Sequence, residues 1–261
     1  MNNEETRQPD SDSSRRLFEG AYADIDIVMV PLRFSIPSGR IRRRVSDIVA
    51  GSRAVADLGC GHGGTTMILA DMNKEASVTG IDFSVVALSK GRRLSNRPNL
   101  TFQEMDLARS SLSPGSYDFI YCSQVIEHFS EDDRFLNSIS TGLLPGGYAF
   151  IGTVFKKRWA RYIYRNSSGE SVLHPDHVNE YTDKEDLFRK VRGNGMEVVD
   201  SETSCVTYPL IDLFLKLLTR NFKTEFIWRL ANSKLTMIAR SATSVPIPGF
   251  FLFQTIVRKK P

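Results

Sequence analysis

Residues 55–65 read Val55-Ala56-Asp57-Leu58-Gly59-Cys60-Gly61-His62-Gly63-Gly64-Thr65, and this stretch decides the fold. A short β-branched and apolar run leads into a glycine-rich turn, and the turn opens a helix-like segment at 65–72. Gly59, Gly61 and Gly64 satisfy G-x-G-x-x-G, and Asp82 follows the next apolar run, as in a nucleotide-binding βαβ unit. Outward from this unit the alternation continues. Further strand-like runs lie at Ser77 to Ile81, Leu100 to Phe102, Tyr117 to Cys122, Gly147 to Val154, Met196 to Thr203 and Phe250 to Arg258. Helix-like segments fall near 41–50, 84–96, 131–143 and 183–194, and Leu143-Leu144-Pro145-Gly146-Gly147 reads as a stop-and-turn before the fifth strand. Strands alternating with helices predict an α/β protein whose parallel sheet is covered on both faces.

Length and composition agree. The 261 residues include 34 Lys+Arg against 30 Asp+Glu, with 41% hydrophobic and 25% charged, as in an ordinary globular chain. Disordered, collagen-like and disulfide-scaffold classes are excluded. The net charge of +4 is small and mixed along the chain, so it does not by itself call for an acidic partner. Cys60, Cys122 and Cys205 are far apart and lack C-x-x-C spacing, which with the polar N-terminus and the absence of a spanning apolar run predicts a cytoplasmic protein.

The ligand of the glycine turn follows from Asp57. A nicotinamide or flavin turn offers N–H groups to a pyrophosphate, which a carboxylate two residues ahead of Gly59 would repel. S-adenosylmethionine carries an ammonium and a sulfonium and no phosphate, so Asp57 helps it. Gly59 and Gly61 then let the ligand lie against the backbone.

VADLGCGHGG (55–64), VTGIDFS (78–84), FQEMDL (102–107), YDFIYCSQVIEHF (117–129) and LLPGGYAFIGTV (143–154), in this order, resemble the motifs of class I S-adenosylmethionine-dependent methyltransferases of the small-molecule O-methyltransferase type. The resemblance covers roughly 41–203. It implies a Rossmann-like, seven-stranded, mostly parallel sheet with an antiparallel last strand, helices on both faces and a helical insertion before that strand. It also implies that Asp57, Gly59 and Gly61 line the methionine part of the cofactor and that Asp82 accepts from both ribose hydroxyls. Phe83 would pack on the adenine, Asp106 beside Leu107 would hold the adenine amino group, and Cys122 would lie beneath the methyl donor. Asp82 has a second reading, as a cap of the helix that begins at Val85.

The domain expectation is a disordered tail at 1–16 and one domain over 17–261. That domain carries an N-terminal helical lid at 17–50, an active-site insertion at 156–182 and an apolar helical insertion at 208–248. The last reads as a lid, a homodimer face or a weak surface attachment.

Methyl transfer to a hydroxyl needs a base, and histidine titrates in the right range. Of the four histidines, His128, His174 and His177 fall at the expected carboxyl edge of the sheet. His177, in a stretch (173–182) that resembles the H-V-x-x-Y-T segment over the acceptor pocket in small-molecule members, is the first candidate base. Glu127 and His128 are the other catalytic candidates, and Tyr181, Tyr22 and Trp159 the acceptor-binding ones. His177 and Tyr181 also read as packing on one helical turn. Some related O-methyltransferases have Glu-x-x-Glu-His at 124–128 and bind a divalent metal; Gln124 replaces one carboxylate here, so a metal is not favoured.

The acceptor expected is therefore a small-molecule hydroxyl (sugar, lipid-linked or secondary metabolite), with no nucleic acid favoured. An RNA or protein methyltransferase and a non-catalytic S-adenosylmethionine-binding protein are the alternatives. The basic and aromatic run from Lys156 to Arg165 reads as a site for an anionic acceptor or as a solvated loop. Arg40, Arg42, Arg43 and Arg44 read as phosphate contacts or as a charged helix face.

Overall fold

The computed structural model describes residues 39–211 and 242–261, except 163, 167, 168 and 175, together with 236 and 239. The expected helices within 17–38 and the apolar segments at 212–235 lie outside the described residues, as does Tyr22.

The first helix, α1 (Gly39–Gly51), precedes β1 (Ala54–Leu58), α2 (Gly64–Met72), β2 (Ser77–Asp82), α3 (Val85–Leu94) and β3 (Leu100–Glu104). Then come β4 (Tyr117–Ser123), a 3-10 turn (Ile126–His128), α4 (Asp132–Gly142) and β5 (Leu143–Lys156). A two-residue hairpin of β6 (Tyr164–Arg165) and β7 (Ser171–Val172) precedes α5 (Lys184–Gly193), β8 (Met196–Pro209) and β9 (Ser244–Lys259). Seven strands pair in the order β3-β2-β1-β4-β5-β9-β8. Pairings from β3 to β5 are parallel, and β9 runs antiparallel to both β5 and β8. The order reverses direction between β1 and β4, so their carboxyl ends flank the crevice in which such sheets bind ligands.

Alternation within the strands splits the core in two. Ala56, Leu58, Ile120, Cys122, Ile151 and Phe253 pack with Phe135, Leu136 and Ile139 of α4 and Leu187 and Val191 of α5. Val55, Phe119, Tyr121, Phe150 and Ile256 face the other way, against Ile41, Val45 and Val49 of α1 and Leu69 of α2. Ile41, Val45 and Val49 recur at four-residue spacing, which makes one helix face apolar. The arginines of α1 serve this docking: Arg40 Nη1 lies 2.7 Å and Arg44 Nε 3.1 Å from the Asp200 carboxylate of β8. For these two the charged-face reading holds, and their partner is the sheet.

Two expectations are corrected. Residues 143–147 do not end the element before β5. They are its first residues, with an irregularity between Tyr117 and Phe119 absorbing the mismatch in register. The insertion at 208–248 begins and ends inside the β8–β9 ribbon, where Tyr208 pairs with Val245 and Pro209 with Ser244.

The glycine turn is built for its shape. Gly59 has φ +64, and a Cβ there would lie 2.4 Å from Val125 Cγ2; Gly63 has φ +82, and its Cβ would lie 2.4 Å from Phe102 Cζ. The missing side chain of Gly59 thus makes room for the segment after β4, besides leaving backbone exposed. A left-handed non-glycine residue costs about 1–2 kcal/mol before any clash. Gly59→Ala is expected to lower the melting temperature by roughly 5–10 °C. Val125→Ala added to it should return part of that loss, because it removes the collision and leaves the strain. Strictly additive melting shifts in the double variant would refute the contact.

Candidate active site

Two buried carboxylates stand at the ends of β1 and β2. Asp57 is 3% exposed, and its Oδ2 accepts a 2.6 Å hydrogen bond from the Thr66 hydroxyl of α2. Burial pushes its carboxyl up from 3.8 to about 7, with the Thr66 bond opposing and nearby Asp82 adding to the rise. Asp82 accepts from the Gly61 N–H through Oδ2 and from the Ser84 N–H through Oδ1, both at 2.8 Å. Burial raises its carboxyl too, against these hydrogen bonds. The helix-cap reading of Asp82 is corrected: Ser84 is the N-cap of α3, its hydroxyl accepting from the Ala87 N–H at 3.2 Å. Asp82 instead fastens the glycine turn to β2.

Phe83 is half-buried beside this clamp. Asp106 is half-buried, its Oδ1 accepting from the Ala108 N–H at 3.0 Å to shape the turn after β3, and Leu107 is buried in the core. Cys122 is fully buried, and burial holds its thiol protonated, so backbone is what it has to offer a ligand.

The segment after β4 begins with strain. Gln124 has φ +58, the one positive φ among described non-glycine residues. Its N–H donates to the Gly152 carbonyl, and its buried Nε2 has no hydrogen-bond partner. Such backbone concentrates at ligand sites. Glu127 is fully buried; Oε2 accepts from the Thr153 hydroxyl of β5 at 3.1 Å, while Oε1 has no hydrogen bond. Burial lifts its carboxyl from 4.5 to about 7, and His177 opposes the rise.

The Glu127 carbonyl accepts the N–H groups of Val178 and Asn179 at 2.9 and 3.0 Å, which joins residues 173–182 to the end of β4. His128 Nδ1 lies 3.2 Å from the Asp176 carbonyl, and its ring meets that of His177 edge to face at 5.0 Å. Burial first, then His177, lowers His128 from 6.5 to about 4, so it is neutral at pH 7 and a weak base. His177 is 6% exposed, with Nδ1 2.6 Å from Glu180 Oε1. A carboxylate can only accept, so Nδ1 carries the proton and Nε2 is the free basic nitrogen.

Tyr181 has another task than lining a pocket. Its ring is in the core, its hydroxyl donates to Asp132 Oδ2 at 2.5 Å, and burial with that carboxylate pushes its phenol strongly upward. Buried Asp132, at the start of α4, also takes Asn179 Nδ2 at 2.7 Å and Lys190 Nζ at 2.5 Å. It therefore ties the 173–182 segment to α4 and α5. Trp159 is 63% exposed, beside Gly249.

Glu180, Thr66, Thr153 and Asp132 were not expected to contribute. The spacing of His177 and Glu180 was the one clue in the sequence; the others meet their partners across elements. S-adenosylmethionine fits the site: among the described residues neither buried carboxylate is paired with a lysine, arginine or histidine, and the turn between them exposes backbone at Gly59. A divalent metal does not fit. Gln124 offers an amide, Glu127 Oε2 is taken by Thr153 and His128 Nδ1 faces a carbonyl, and among the described residues no group of three acidic, histidine or cysteine side chains is placed to hold a metal ion.

The sheet order and the acidic glycine crevice together define a methyltransferase-type α/β protein. Residues 55–147 match the family model described as a methyltransferase domain. A ubiquinone biosynthesis O-methyltransferase of Albidiferax ferrireducens is 36% identical over 112 residues, 41% of this chain and 42% of that protein. The chain thus spans about two fifths of that relative's length. Among solved structures, the [4+2]-cyclase SpnF aligns with a TM-score of 0.61 at 19% identity, over 97% of each chain. An S-adenosylmethionine dependent methyltransferase from Mesorhizobium loti gives 0.57 at 18% identity, over 83% of this chain and 95% of that one. Residues 55–147 thus carry a methyltransferase domain, and the chain shares its fold with an S-adenosylmethionine dependent methyltransferase. Among the described residues, no helix is long and apolar enough to cross a membrane.

Burial of Asp57 has a thermodynamic consequence without ligand. A carboxyl whose folded pKa is raised stabilises the fold below its unfolded pKa, and that stability is lost as pH rises from about 4 to about 7. Asp57→Asn should therefore leave the ligand-free protein's melting temperature nearly unchanged at pH 4 and raise it at pH 8, where the gain in stability is up to ~4 kcal/mol. Equal melting shifts at both pH values would contradict the buried, proton-binding carboxyl.

Proposed function

We propose that the protein is an S-adenosylmethionine-dependent O-methyltransferase that acts on a hydroxyl of a small molecule, with His177 as general base. The observation that carries this reading is the buried His177–Glu180 pair at 2.6 Å, fastened by two backbone hydrogen bonds to the end of β4. The ubiquinone-type name of the relative in Albidiferax supports an oxygen acceptor. The SpnF alignment supports the fold and leaves the reaction to the site.

When bound, S-adenosylmethionine supplies an electrophilic methyl group on its sulfonium. Asp57 would face the ammonium of the methionine part, Asp82 the ribose hydroxyls and Asp106 the adenine amino group, with Phe83 against the ring. Asp82 can do this while fastening the turn, since a carboxylate has about four acceptor positions and the backbone N–H groups of Gly61, Phe83 and Ser84 use three. His177 Nε2 accepts the proton of the acceptor hydroxyl as that oxygen becomes nucleophilic. Glu180 holds the ring by Nδ1 and stabilises the imidazolium that results. Neutral His128 packs edge-on to the base and keeps its orientation. The unbonded Glu127 Oε1 is a polar contact left for the acceptor.

Methyl transfer from labelled S-adenosylmethionine to a panel of phenols and alcohols tests this. His177→Ala should lose about 10²–10⁴-fold in turnover while calorimetry finds cofactor binding retained. Full activity in His177→Ala, His128→Ala and their double variant would remove histidine base catalysis.

Cofactor affinity has its own pH signature. An ammonium is held by the ionised Asp57, so binding should weaken as pH falls below about 7, approaching tenfold per unit. Calorimetric titrations at pH 6 and 8 measure it. Asp57→Asn should bind weakly with little slope, and a wild-type affinity independent of pH would count against this role.

A further inference from the structure

Lys156, at the end of β5, is 8% exposed, which is unusual for a lysine. Its Nζ donates to the Ser171 carbonyl at 3.0 Å and to Glu170 Oε2 at 3.4 Å, and lies 3.7 Å from Glu180 Oε2. Its backbone N–H donates to the Tyr181 carbonyl at 2.8 Å. The Glu170 side chain is 64% exposed, so water screens its hold on the ammonium. Glu180 is different, because its side chain is fully buried. Oε1 is taken by His177 Nδ1 and by the Leu173 N–H at 2.8 Å, while Oε2 has no hydrogen bond. A buried carboxylate with one oxygen unbonded is costly unless a cation stands nearby, and Lys156 is placed against that oxygen.

We infer that Lys156 is a positioning residue for the base: its charge against Glu180 Oε2 keeps this carboxylate ionised, which holds the proton of His177 on Nδ1 and leaves Nε2 free. The inference rests on His177 as the base. Other titratable groups face that ring: Glu127 and His128 from the turn after β4, and His174, itself paired with Asp176, from its own segment. Lys156 reaches it through Glu180, from β5. Without the lysine, His177 and Glu180 would share one proton more tightly and titrate as a pair at higher pH.

The test reads His177 directly and needs no acceptor. In the full chain with ¹³C-labelled histidine, the His177 resonance is assigned by its loss in His177→Gln and followed through a pH titration. Lys156→Met should move its midpoint up by about one pH unit or more, a tenfold loss of free base below the midpoint. Lys156→Arg should return it to within a few tenths of wild type, because charge is what acts. Where the methionine variant does not fold, Lys156→Gln reports the same upward shift. Superposable titrations of wild type and the neutral variants would overturn the role, as would an arginine variant that behaves like the methionine one. Activity of His177→Ala separates the two claims. An inactive His177→Ala with an unshifted titration removes the role of Lys156 alone, whereas an active one removes the base reading itself.

Discussion

The hydrogen bond from the Gly61 N–H to the Asp82 carboxylate is the contact on which the rest of the cofactor crevice depends. Through it the turn after β1 is held by the end of β2, so that two strands and two helices share one rigid corner. Left-handed glycines allow the chain to make the turn, and Val125 then fills the space that Gly59 leaves. The same corner concentrates negative charge. Asp57 and Asp82 are both buried, and both pay in desolvation for standing where a cationic, hydroxyl-rich ligand would relieve them.

The candidate base is organised by the opposite means. Instead of a tight turn, residues 173–182 are held from several sides: the Glu127 carbonyl, the Asp132 carboxylate and the β5 end at Lys156. None of these partners is near in sequence. Such anchoring suits the proposed base, since small displacements cost large factors in rate. His128 and His177 touch, yet their environments part them. His128 is buried against a carbonyl and other histidines and is a weak base, while His177 has a carboxylate on Nδ1.

Much of this was legible beforehand, and the reason lies in range. The strand–turn–helix of 55–72 and the parallel alternation of the first five strands follow from local patterns, as do Asp57 and Asp82 at the ends of β1 and β2. The start of β5 departs from its proline and glycine punctuation: Leu143 already pairs with Tyr117, and regular pairing resumes at Tyr148 beyond an irregularity. Tyr181 shows the other limit. Its position in a motif suggested a pocket, but where its hydroxyl goes depends on Asp132, 49 residues away.

The sequence alone determined the class of sheet, the glycine turn and the positions of the three carboxylates proposed to face the cofactor, because each is a matter of neighbours and of chemistry fixed by residue type. Only the tertiary structure decided which of those groups are buried, which clamp the turn and which nitrogen of His177 is free. Those properties depend on what other elements bring alongside: Thr66 to Asp57, Gly61 to Asp82, Thr153 to Glu127 and Lys156 to Glu180. Burial and charge pairing are collective quantities, and no stretch of the chain contains them.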